Sequence, residues 1–174
     1  AERLNTQCDT NYDFENIMIT NGAKQAIYNL FQILINEGDE VIIPSPYWLS
    51  YPQIVKLAGG KPIILETSPE NNFKIDMNKL QSKISSKTKF IIINSPNNPT
   101  GKVFNKDELR EILEIVRKNE HINIMSDEIY EKIIKKGTKH INLASLAKDL
   151  KDRIFTINGF AKGWAMTGWR IGYL

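Results

Sequence analysis

Residues 89–127 read KFIIINSPNNPTGKVFNKDELREILEIVRKNEHINIMSD, and the order of patterns within them decides the fold. Lys89–Asn94 is a continuous apolar run rich in β-branched residues, the signature of a strand buried on both faces. Asn105, with Glu108 three positions on, has the form of a helix N-cap and capping box. Leu109, Ile112, Leu113 and Val116 then fall on one stripe of a helix. Ile122–Ser126 is a second apolar run. Strand, crossover helix and strand in this order make a βαβ unit, whose two strands lie parallel.

The same alternation extends in both directions. Strand-like runs occur at Ile17–Thr20, Glu40–Pro44, Lys61–Leu65 and Arg153–Ile157. Ala26, Ile27, Leu30, Phe31 and Leu34 form another helical stripe, with Gly38 as its expected C-cap. A shorter helical period, Met77, Leu80 and Ile84, follows Asp76. These features predict one α/β domain: three αβα layers around a seven-stranded, mostly parallel sheet. The seventh strand, Arg170–Leu174, is the exception. Only the eleven residues Asn158–Gly168 and then Trp169 separate it from the strand before, and Gly159, Gly163 and Gly168 interrupt them. A parallel crossover needs a dozen or more residues, usually helical, so this strand is expected to be antiparallel.

Composition narrows the function classes. The net charge is only +3, and acidic and basic residues are interleaved, which leaves no basic stripe for nucleic acid. Cys8 is the sole cysteine, so an internal disulfide and a cysteine-built metal site are excluded. His121 and His140 stand isolated and read as surface or loop histidines; no metal is expected. The longest apolar runs are too short to span a bilayer, and the first residues lack the apolar core of a signal peptide. A cytoplasmic location fits this pattern. The chain also begins without methionine, as a piece of something longer would.

Open α/β sheets bind ligands beyond the carboxyl ends of their parallel strands. Beyond the successive strands lie Asn21-Gly22-Ala23-Lys24, Ser45-Pro46-Tyr47-Trp48, Asn97-Asn98-Pro99-Thr100-Gly101, the group Asp127, Glu128 and Tyr130, and finally Asn158 and Lys162. An antiparallel last strand starts at that same edge and adds Arg170. Taken singly, these are a turn, a half-buried ring, a loop, a capping aspartate and solvated charges. Gathered on one rim they form a chemical set. Gly22 and the amides of Ala23 and Lys24 at a helix start suit an anion, with Arg170 as its charged partner. Trp48 can cover a planar ring, and a buried Asp127 can hold a pyridine-type nitrogen protonated. Tyr130 and Asn98 can donate to a phenolate-type oxygen, and Lys162 can form a Schiff base with an aldehyde. The set describes pyridoxal 5'-phosphate.

The strings NGAKQA, SPYW, NSPNNPTGK, SDEIYE and NGFAKGWAMTGWRIGY resemble the class I/II, fold-type-I aminotransferases, above all the bacterial subgroup Ib aspartate aminotransferases. The match runs from about Asn16 to the end, with Lys162 and Arg170 eight residues apart and Asp-x-x-Tyr beginning 35 residues before the lysine. The resemblance implies that Lys162 carries the cofactor and shuttles protons, with Asp127 and Tyr130 as its catalytic companions. It assigns Asp127 to the ring nitrogen, Tyr130 and Asn98 to O3′, Trp48 to the ring face, and Gly22, Ala23 and Arg170 to the phosphate. Trp48 and Asn98 also border the substrate. Ala161 stands where many members have serine. Lys24 matches a lysine near the distal carboxylate of acidic substrates, so the implied reaction moves an amino group between aspartate or glutamate and a 2-oxo acid. An aromatic or prephenate aminotransferase shares nearly all these residues. The resemblance further implies a homodimer, an N-terminal segment before Ala1, and a C-terminal small domain beyond Leu174 holding the α-carboxylate arginine; residues 1–174 are then the cofactor-binding large domain.

A nucleotide-binding module would need G-x-G-x-x-G or G-x-x-x-x-G-K-[ST] after a strand. Here Gly101-Lys102 is followed by Val103, and Pro96 occupies the place of the first glycine. A catalytically incomplete binding fragment is the remaining reading from another class.

Overall fold

The computed structural model describes the backbone of residues 1–174 and the side chains of all but Gln7 and Cys8. Its strands are β1 (Ile19–Asn21), β2 (Glu40–Ser45), β3 (Lys61–Glu66), β4 (Thr88–Asn94), β5 (Asn123–Asp127), β6 (Ile154–Gly159) and β7 (Ile171–Tyr173). The helices are α1 (Glu2–Cys8), α2 (Ala23–Leu34), α3 (Ser50–Leu57), α4 (Met77–Lys83), α5 (Lys106–Lys118) and α6 (Leu143–Leu146). All seven strands form one sheet in the order β1-β7-β6-β5-β4-β2-β3. The pairs from β3 across to β6 are parallel, and β7 is antiparallel to both of its neighbours, β6 and β1. Six strands therefore share a direction, as the connection lengths require.

The apolar runs are continuous because the sheet is covered on both faces. In β4, Ile91 and Ile93 pack with Leu109, Ile112, Leu113 and Val116 of α5, while Phe90 and Ile92 pack on the other face with Ala26, Ile27, Leu30 and Phe31 of α2. Each such side chain, fully buried, contributes about 1.5–3 kcal/mol. The start of α5 is fixed as its sequence implies: the Asn105 side chain accepts from the amides of Asp107 and Glu108, and Glu108 accepts from the Asn105 amide at 2.8 Å. Glu108 also takes Lys102 Nζ at 2.6 Å, a buried pair that ties the loop after β4 to this helix.

Several expectations need correction. Helix α2 ends at Leu34, and its C-cap is Ile35, whose amide reaches Phe31 O at 3.0 Å; Gly38 is not the cap. Ile35 turns extended to bury its side chain, and Asp39 takes the Asn36 amide at 2.9 Å, which closes a separate turn with Gly38 inside it. Strand β1 starts two residues late, at Ile19, though Met18 still exchanges two backbone hydrogen bonds with Leu174. Helices α1, α3 and α6 have no counterpart in the sequence pattern. His140 is not isolated, since its Nε2 lies 2.9 Å from Glu128 and its side chain is mostly buried.

Between β6 and β7 the chain makes tight turns and one 3-10 turn at Thr167–Trp169, with no α-helix. Phe160 N reaches Ile171 O at 3.0 Å, and Ala165 N reaches Lys162 O at 3.0 Å. Strand β7 packs directly under the start of α2: a Cβ on Gly172 would stand 2.3 Å from Ala23 N. Only glycine allows that approach. No helix among the described residues is long and apolar enough to cross a membrane.

Candidate active site

Beyond the carboxyl ends of β4, β5 and β6 lies a cleft of about 220 Å³. Ala23, Lys24, Trp48, Asn98, Asp127, Tyr130, Lys162 and Arg170 all line it. Gly22 lies directly against the Arg170 guanidinium, so the residues assigned to cofactor and substrate converge here, whereas Glu128 turns away to accept from Ser126, Asn142 and the Leu143 amide and to meet His140.

The floor is acidic. Asp127 is the last residue of β5 and only 4% exposed. Its Oδ2 accepts from Tyr51 Oη at 2.6 Å and its Oδ1 from the Ile129 amide at 3.1 Å. Burial pushes the Asp127 carboxyl up to about 6, against the lowering pull of those two donors. Burial also raises Tyr51 well above the usual tyrosine range, with the Asp127 charge adding to it, so Tyr51 remains a donor.

One end is built for an anion. Gly22 has φ +79° and ψ 158°, a region open only to glycine, and a Cβ there would stand 2.3 Å from Arg170 Nη2. The twelve-residue helix α2 begins at the next residue, so its first amides face this end with the positive end of the helix dipole. Arg170 is itself in the left-handed region at φ +53°, which brings its guanidinium back over Gly22. Nη1 donates to Thr167 O at 3.1 Å, and the residue is otherwise exposed.

The walls are held by a relay of contacts. Trp48 meets Tyr51 edge to face, with centroids 5.4 Å apart at 88°. Asn94 donates to Asp127 O at 3.0 Å and accepts the Asn98 amide at 2.8 Å, fixing the loop on which Asn98 sits. Asn98 Nδ2 then lies 3.5 Å from Tyr130 Oη. Burial, with the charge of Asp127, raises the Tyr130 hydroxyl above its usual value and keeps it protonated. Lys162 is exposed, with Nζ 5.9 Å from the Tyr130 ring centroid, and Lys24 Nζ stands 4.9 Å from the Trp48 ring.

Two participants escaped the sequence reading, Tyr51 and Asn94. A signal existed for each. Tyr51 follows Trp48 by three residues, one helical turn on, and Asn94 is the polar end of an otherwise apolar strand.

A buried acid, an anion cradle and a primary amine around one small cleft suit a ligand with a phosphate, a basic ring nitrogen and a carbonyl. Known proteins carry the same framework. The family described as Aminotransferase class I and II matches residues 1–174. A probable aspartate/prephenate aminotransferase of Rickettsia bellii is 54% identical over 162 residues, which are 93% of this chain and 41% of that protein. The aspartate aminotransferase of Bacillus subtilis is 49% identical over 173 residues, 99% of this chain and 44% of the relative. The crystal structure of the aspartate aminotransferase from Rhizobium meliloti superposes with a TM-score of 0.96 at 37% identity, covering 99% of this chain and 43% of that one. The chain thus spans less than half the length of the relatives it matches. Over that span, fold and sequence agree, and the chain belongs to the class I and II aminotransferase family.

Proposed function

We propose that residues 1–174 are the cofactor-binding large domain of a pyridoxal-phosphate-dependent aminotransferase that moves an amino group between aspartate or glutamate and a 2-oxo acid. The observation that carries this reading is the buried Asp127 set opposite the Gly22–Arg170 cradle, with Lys162 on the same cleft. The residues fit the cofactor on this chain's own chemistry. Gly22 has no room for a side chain because Arg170 fills it, as a phosphate-binding turn requires. Asp127 is desolvated and has no salt-bridge partner among the described residues, a place that a protonated ring nitrogen would fill.

When bound, pyridoxal phosphate supplies an aldehyde carbon open to amines and a ring that accepts the electron pair released from the substrate Cα. Around it, Arg170 and the amides of Ala23 and Lys24 hold the phosphate. Trp48 covers the ring, and Asp127 keeps the ring nitrogen protonated. Tyr130 Oη and Asn98 Nδ2 donate to the ring oxygen. Lys162 Nζ would hold the cofactor's aldehyde carbon, and as a primary amine on the cleft it could move a proton to and from the substrate carbon. Lys24, exposed at the mouth beside Trp48, receives the second carboxylate of an acidic substrate. Prephenate also bears a second carboxylate, and the Rickettsia bellii relative's name includes it, so it is the alternative acceptor family. The full-length enzyme is taken to be a cytoplasmic homodimer, and the 174 residues alone to be inactive.

The test is an absorbance spectrum of the full-length protein with pyridoxal phosphate, then with aspartate, glutamate and a neutral amino acid in turn. A visible band that shifts with the two acidic amino acids is expected. Borohydride reduction and peptide mapping should place the label on Lys162; a label on Lys24 or Lys102 would overturn the assignment.

A further inference from the structure

Arg3, on α1, lies behind the two loops that carry Tyr130 and Lys162. Its Nη2 donates to Glu131 Oε1 at 2.6 Å, and Glu131 is the residue after Tyr130. Its guanidinium carbon also stands 5.4 Å from the ring centroids of both Phe160 and Trp164. Those rings belong to the residues two before and two after Lys162. Both therefore turn back onto Arg3, while Lys162 between them lines the cleft. The loops also touch each other: Lys132 Nζ is 5.0 Å from the Trp164 ring centroid, and a Cβ on Gly163 would stand 3.1 Å from Lys132 Cβ.

The geometry points to Arg3 as a positioning residue, which clamps the Lys162 loop to the Tyr130 loop and so sets how the lysine amine stands relative to the tyrosine. A planar guanidinium suits this task, since it can bind a carboxylate at its edge while stacking on aromatic rings; an ammonium cannot do both equally. Helix α1 has other anchors. Leu4 packs on Tyr173, and Asn5 exchanges hydrogen bonds of 2.7 and 2.8 Å with the backbone of Tyr12. The ion pair and both ring contacts of Arg3 are thus directed at the two active-site loops. This inference rests on the reading that Lys162 and Tyr130 serve the cofactor.

The experiment compares full-length wild type with Arg3→Met, Arg3→Lys and Glu131→Gln. Hydrogen exchange on the apoprotein comes first. In Arg3→Met and Glu131→Gln, peptides spanning 129–133 and 159–165 should exchange at least about tenfold faster, while α5 is unchanged. Next, the pH midpoint of the absorbance of bound pyridoxal phosphate should shift by about half a unit or more in the same two variants. Arg3→Lys should restore part of both changes. Faster exchange confined to α1 would overturn the clamp, and loosened loops with a midpoint within about 0.1 unit of wild type would overturn the positioning role. Should Arg3→Met fail to fold, Glu131→Gln, which takes the charge out of the same clamp from its other side, decides alone. Wild type that takes up no pyridoxal phosphate would sink the proposed function, while the exchange data would still show whether Arg3 joins the loops.

Discussion

Asp127 and Lys162 face one cleft from neighbouring strands, yet they are held in opposite ways. Asp127 ends β5, is 4% exposed, and is gripped by Tyr51 and the Ile129 amide. Lys162 lies three residues past β6 on an exposed turn that ends near Arg170, and exposed Lys24 stands across the cleft in the first turn of α2. The acidic half of the site is prebuilt and dry, whereas the cationic half stands open to solvent. Desolvation sets the chemistry of the first. The second has basic groups whose natural partners, phosphate and carboxylate, come from outside.

The contrast can be broken most severely at its exposed end. Lys162→Ala in the full-length enzyme should cost at least the roughly 10²–10⁴-fold that a positioned proton-transfer group contributes, and abolish borohydride labelling. Single-turnover kinetics with aspartate measures it. At the buried end, Asp127→Asn should lower kcat by about 10²–10³, the usual effect of removing one preorganised electrostatic partner. The same change should stabilise the apoprotein. Asp127 has its folded pKa raised from 3.8 to about 6, so its stabilising contribution is present below about pH 4 and is lost as pH rises through about 6. The variant's unfolding midpoint should therefore exceed wild type at pH 8 and match it at pH 4, by calorimetry of both apoproteins.

Lys24→Ala should reduce kcat/KM for dicarboxylic substrates by roughly one to two decades, as for a charge-assisted hydrogen bond of about 1.5–3 kcal/mol. Activity toward a neutral amino acid should fall far less; an equal loss would assign Lys24 to the phosphate or the fold. The smallest expected effect is Tyr51→Phe. It removes one of two donors to a buried carboxylate, so the Asp127 titration should move still higher, and kcat should fall by about tenfold or less. Infrared titration of the apoprotein carboxyl gives the direction. A downward shift would contradict the role of Tyr51.

The same division explains what could be read from the chain beforehand. Continuous apolar runs declare buried parallel strands, and the residues that follow each run land on the binding edge, so Asp127, Asn98 and Lys162 were legible from period and position. The antiparallel β7 followed from the shortness of its connection. What stayed hidden depends on contacts between distant segments. Nothing local in Tyr51 announces a hydrogen bond to Asp127, 76 residues away. Helix α3 was obscured by Pro46 and Pro52 near its start, although proline in a first turn is tolerated. Gly38 looked like a cap because glycine after an apolar stripe often is one; the turn closed by Asp39 prevailed.

The position of β7 has a consequence for assembly. Strand β1 has a single ladder partner, β7, and pairs Ile19 with Tyr173, almost the whole chain apart. Contacts so remote in sequence are closed late, because chain entropy must be overcome before they are rewarded. During synthesis, the strands from β2 to β6 can zip together in order as they emerge, since each finds a parallel neighbour already made or soon to follow. The Gly22 turn is made long before Arg170 and the bed of Gly172 beneath it. The cradle at the start of α2 therefore waits for β7, and its closure would report completion of the sheet.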